Sequence, residues 1–241
     1  LRALGALLRG EIADYEFNGV SRPVKMLMHE HNYMNLTPKI PLYVSGFGPR
    51  AMGLAGQYGD GLMFAIPPRG IAVAQALAHV RQGAAQPARS LEGFRTCALT
   101  NIGVLRPGEA ADSERMVRQL GPNVMASVYY FYDEVHEKGI DPPEFLQRIW
   151  KPYCKLVEQT PPEHRHLRTH EFHYTYMHPG EAELIDEELI RATCMVGTPD
   201  ELVTQIRGLE AAGLQEIMFA TGSAEKWSMA KDFAESVMGR Y

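Results

Sequence analysis

The chain has 241 residues, of which 45% are apolar and 22% charged, the composition of an ordinary globular protein and not of a disordered or low-complexity one. A formal net charge of -5, with no stripe of Lys and Arg, argues against a nucleic-acid partner. No apolar run reaches the roughly 18 residues of a membrane span and no signal-peptide pattern is visible, while the odd, scattered Cys97, Cys154 and Cys194 suggest neither a disulfide framework nor a zinc site, so a soluble cytoplasmic protein with reduced thiols is expected.

The first residues are already periodic, with Leu1, Leu4, Leu7 and Leu8 on one helical face and no capping residue ahead of them. That predicts a helix entered part-way, in a chain whose N-terminal part is missing, with a stop at Arg9-Gly10. Residues 11–39 are polar and carry Asn18-Gly19 and two prolines, which reads as a loop. Ile40-Pro41-Leu42-Tyr43-Val44 then fits a strand buried on both faces, residues 51–58 a helix, and residues 61–66 a second strand, which together make one βαβ unit. A helix over 71–82, a strand over 94–104, a helix over 199–212, a strand over 215–220 and a last amphipathic helix over 224–238 continue the alternation. The helix from Pro199 has the clearest ends: Thr198 as cap, Glu201 completing a capping box, and Gly213 as stop.

Such alternation calls for a mainly parallel sheet. Four strands alone would leave two open edges, whereas an eight-stranded barrel takes about 250 residues. The orphan opening helix therefore points to a (β/α)8 TIM barrel of which this chain holds strands 5–8 with their helices. Roughly ninety residues separate the third strand from the capped helix, far more than a simple connection. Helices over 122–137 and 142–158 are expected there. Because barrel sites lie at the C-terminal strand ends, residues 121–180 are expected to form a helical insertion over the active-site face.

Ser45-Gly46-Phe47-Gly48-Pro49-Arg50 has what an anion site needs: glycines that admit close approach, a helix N-terminus behind them, and an Arg able to pair bidentately. An ordinary strand-to-helix turn with a solvated Arg has the same local features. The segment from Ile40 through Arg50 to Gly61 is similar to the fifth-strand signature of luciferase-like (bacterial luciferase, LLM class) flavin- or deazaflavin-dependent oxidoreductases. Val196-Gly197-Thr198-Pro199-Asp200-Glu201-Leu202 resembles their late Gly-Thr-Pro-x-Glu signature, and His166-Leu167-Arg168-Thr169-His170-Glu171-Phe172-His173 also resembles members of the family.

The resemblance implies that residues 1–241 are the C-terminal part of a single barrel domain and that Ser45, Gly46, Phe47, Gly48, Pro49 and Arg50 bind the cofactor phosphate. The cofactor implied is FMN, acting with oxygen as in a monooxygenase, or the deazaflavin coenzyme F-420, acting in a dehydrogenase or reductase. It further implies a small organic substrate and a homodimer when full length. The rival reading is a cofactor-free or inactive barrel fragment that serves only as a packing partner for another subunit.

His166, His170 and His173 would share a helical face and His29 and His31 a strand face, but no acidic residue stands at a familiar ligand spacing. No metal is expected. His170 and His173 remain the candidates for general-acid or pocket-lining roles. The cluster Tyr129, Tyr130, Phe131 and Tyr132 could wall an apolar pocket or simply pack a helix, and Glu134, Glu137 and Lys138 read as a solvated face.

Overall fold

The computed structural model describes residues 1–64, 70–86, 88–219 and 222–241. In chain order it comprises α1 (Arg2–Leu7), β1 (Ala13–Phe17), β2 (Val20–Val24), β3 (Tyr43–Ser45), α2 (Pro49–Tyr58), β4 (Gly61–Phe64), α3 (Gly70–Ala85), β5 (Arg95–Thr100) and β6 (Ile102–Val104). There follow α4 (Glu114–Lys138), α5 (Gln147–Glu158), α6 (Arg165–His170), α7 (Glu187–Thr193), β7 (Met195–Gly197), α8 (Pro199–Ala211), β8 (Glu216–Phe219) and α9 (Lys226–Ser236). Strands β3, β4, β5 and β8 are hydrogen-bonded in that order. β3 runs parallel to β4, and β6 parallel to β7. This is an α/β fold.

Three expectations need correcting. Residues 11–39 are not all loop: β1 and β2 form an antiparallel hairpin whose two-residue turn, Asn18 at φ 51° and Gly19 at φ 76°, has the left-handed pair that suits strand twist. Both strands are largely exposed, yet the signal was present in β1, where Ala13, Tyr15 and Phe17 alternate with Asp14 and Glu16 just ahead of Asn18-Gly19. The strand over 94–104 is two pieces, β5 and β6, on either side of Asn101. A further strand, β7, went unread because three residues are too few for a pattern, although all three are buried. The forecast ends of the strands over 61–66 and 215–220 fall partly on residues 65, 66 and 220, outside the described residues.

The helices reading also changes in the long connection. Pro122 lies inside α4 and does not open it, and the second helix, α5, starts at Gln147 and not at residue 142, with Pro152 in its interior. An interior proline removes one backbone bond and crowds the preceding turn. Burial of Met116, Leu120, Val124, Met125, Val128, Tyr129 and Tyr132 along α4 offsets that, since tertiary packing rather than propensity supplies most helix stability. The true start of α4 is Ser113, whose side chain accepts from the Met116 N–H, and its stop is Gly139 at φ 61°.

Two compact units result: Leu1–Ala65 with Ile71–Cys97 and Gly213–Glu216, and Ile66–Gly70 with Ala98–Ala212 and Ile217–Tyr241. In the first, α2 and α3 touch through their backbones. A Cβ on Gly56 would lie 1.9 Å from the Val80 carbonyl oxygen, and one on Gly83 1.9 Å from that of Gly53, so glycine is required for this approach. The N-terminal strand ends are tied by Glu216, which accepts from Arg95 Nε at 2.8 Å and from the Tyr43 hydroxyl at 3.2 Å. In the second unit the apolar core gathers α4, α5 and α7 around Tyr129, Tyr153, Ile149 and Leu189.

Candidate functional site

The turn from Ser45 to Arg50 joins the C-terminal end of β3 to the start of α2, the place where α/β sheets present ligand sites. Ser45 is exposed at the last position of β3, Gly46 is buried, and Phe47, Pro49 and Arg50 are exposed. The two glycines do different things. A Cβ on Gly46 would come within 2.9 Å of the Ala51 Cβ and 3.2 Å of its carbonyl carbon, whereas a Cβ on Gly48 meets nothing within 4 Å. Gly46 thus lets the chain fold back against its own helix. Gly48, the N-cap of α2 at φ -117°, needs no positive φ and leaves open space in front of the helix.

The donor set is smaller than six residues suggest. The Gly46 N–H already donates to the Met63 carbonyl at 3.0 Å, extending the β3–β4 pairing, and Pro49 has no N–H. What the turn offers an anion is the Gly48 amide, the first-turn amides of Arg50 and Ala51, for which a helix supplies no carbonyl, and the positive end of the α2 dipole. Arg50 also lines an open cleft of about 370 Å³ with Gln57, His79 and Gln86.

The histidines separate. α6 ends at His170, so His173 lies beyond it and the shared helical face of His166, His170 and His173 does not form. His29 and His31 sit in a 3-10 turn, and the His29 ring packs where a Cβ on Gly10 would fall, 1.9 Å from Nε2. Among the described residues no group of three or more His, Cys, Asp or Glu could hold a metal. His170 Nε2 instead donates to Asp133 Oδ2 of α4 at 2.8 Å, with the His173 ring 6.1 Å away. Burial, and then the His170 charge, lower the His173 pKa from its ordinary value. Asp133 was not foreseen: it stands 37 residues from His170, and nothing local marks it.

The aromatic cluster is helix packing. Tyr129 and Tyr132 are buried in the core of the second unit, while Tyr130 is exposed. Lys138 pairs with Glu134 on an exposed helix face. The three cysteines are free. Among the described residues no helix is long and apolar enough to cross a membrane.

Comparison with solved structures places the fold among known enzymes. A coenzyme F-420 dependent tetrahydromethanopterin reductase from Methanopyrus kandleri superposes with a TM-score of 0.60 at 17% identity, covering 99% of this chain and 61% of its own. A riboflavin lyase bound to modified FMN and riboflavin gives 0.56 at 17% identity, over 95% of this chain and 48% of its own. An F-420-dependent secondary alcohol dehydrogenase in complex with an F-420–acetone adduct gives 0.53 at 16% identity, over 94% and 55%. The chain therefore spans about half to three-fifths of the length of these structures. No curated protein matches it. The family profile described as luciferase-like monooxygenase matches residues 1–216, and the chain belongs to that family.

Proposed function

We propose that this chain carries the phosphate-binding part of a (β/α)8-barrel oxidoreductase that uses FMN with oxygen, or the deazaflavin coenzyme F-420, on a small organic substrate. The observation that carries the reading is the turn Ser45–Arg50: a strand end, an open N-cap at Gly48 and an exposed Arg50, in a chain that belongs to the luciferase-like family. Two of the structures it resembles are named for F-420 and one contains modified FMN, which supports both cofactors equally. The packing-partner alternative has no observation of its own.

The cofactor supplies the hydride or oxygen chemistry. The protein's part at this turn is to hold a phosphate oxygen with the amides of Gly48, Arg50 and Ala51, to balance its charge with Arg50, and to orient the rest of the molecule. In the second unit, segment 121–180 carries His170 as an acid–base group held by Asp133. The intact protein is proposed to be a homodimer.

The test is a titration with FMN and with F-420. Arg50→Ala removes one charged partner and should weaken cofactor binding by about 1.5–3 kcal/mol, roughly 10- to 150-fold. Unchanged affinity for both cofactors would remove Arg50 from the site.

A further inference from the structure

Beneath the His-rich turn of the second unit lies a charged cluster to which neither the turn at Ser45 nor the family likeness gives a purpose. Glu181 is completely buried. Its Oε2 accepts from the Tyr129 hydroxyl at 2.6 Å and from the His178 N–H at 2.8 Å. Its Oε1 lies 3.6 Å from Nη1 of Arg168, whose side chain is only 12% exposed. Tyr153, also fully buried, stacks on Tyr129 with ring centroids 6.2 Å apart. Burial pushes both tyrosine hydroxyls up, followed by the hydrogen bond to Glu181 at Tyr129 and by the charge of Glu181 at Tyr153. Arg168 Nη1, Glu181 Oε1 and the Tyr153 hydroxyl complete no direct hydrogen bond.

A carboxylate and a guanidinium withdrawn from water in this way contribute little net stability; what such a pair can do is specify one arrangement over others. The arrangement at stake here is clear from the chain. α6 has six residues, too few to persist through its own hydrogen bonds. Arg168 lies within it, two residues before His170, and Glu181 lies just after the turn that follows. His178 Nε2 closes the loop by donating to the Arg168 carbonyl at 2.8 Å, since a carbonyl can only accept. Glu181 in turn is gripped by Tyr129, which is on α4, the helix that also carries Asp133.

We propose that Arg168, Glu181 and Tyr129 are positioning residues: a buried latch that sets α6 against α4 so that His170 meets Asp133. The inference rests on the reading of His170 as an acid–base group. Its test needs neither cofactor nor substrate.

The readout is the nuclear Overhauser contact between the His170 ring and the Asp133 β protons in the full chain. The wild type should show it. Glu181→Gln and Arg168→Met should abolish it, Arg168→Lys should keep it, and Thr198→Ala, a cap lesion elsewhere, should also keep it. Should the single variants fail to fold because one buried charge is left alone, the double variant Arg168→Met/Glu181→Gln leaves none; it should fold and lack the contact. A folded double variant that retains the contact would overturn the latch. Absence of the contact in the wild type would instead remove the His170–Asp133 pair itself.

Discussion

At the scale of single residues, Gly46 and Gly48 look alike in sequence and differ in physics. Gly46 is packed against the start of α2 and its N–H is committed to Met63, so Gly46→Ala should destabilise the fold by about 1–3 kcal/mol, as overpacking does, measured by urea unfolding. Gly48 faces open space, so its replacement should leave folding alone. Glu109 gives a pH-dependent prediction. Its carboxylate pairs with Arg115, accepts from Arg115 Nε at 2.9 Å and from the Arg106 N–H at 2.9 Å, and these hold its pKa at about 2, below the ordinary 4.5. A folded-state pKa below the unfolded one means that the stabilisation is complete above about pH 4.5 and is lost as pH falls toward 2. Glu109→Gln should cost of the order of 1–3 kcal/mol at neutral pH and flatten the acid limb of the stability curve. An acid limb identical to the wild type's would contradict the assignment.

At the scale of elements, α8 is fixed by its ends. Thr198 and Glu201 exchange hydrogen bonds in a full capping box, and Gly213 follows at φ 102°. Thr198→Ala should lower stability by about 1 kcal/mol, read as a shift in the urea midpoint at unchanged slope. This helix was legible because capping is local chemistry written within four residues. α2, β3 and β4 were legible for a related reason: an apolar run, a glycine turn and a helix succeed one another directly, although β3 itself covers only Tyr43–Ser45 and is half-buried and not buried on both faces. What escaped reading depended on distant partners. β7 is a strand only because Met195, Val196 and Gly197 lie beside Ile102, Gly103 and Val104. The helix start at Ser113 was masked by Pro122, whose usual meaning burial overrides. The candidate site divides in the same way. The turn Ser45–Arg50 could be named from adjacent residues, whereas the use of the Gly46 N–H by Met63 and the Asp133–His170 pair arise only from folding.

For the molecule as a whole, family membership and the α/β fold are established by the match over residues 1–216 and by the parallel pairing of β3 with β4 and of β6 with β7. The functional claim turns on whether the strand end at Ser45 receives the phosphate of a flavin or deazaflavin. The most direct measurement is titration of the protein and of Gly48→Val with FMN and with F-420, with thermal unfolding followed by circular dichroism. A Val side chain at this open N-cap would occupy the space an anion needs without touching the protein. The account predicts saturable binding of one of the two cofactors, weakened more than about tenfold by Gly48→Val at an unchanged unfolding temperature; equal affinity of variant and wild type, or no binding of either cofactor, would contradict it.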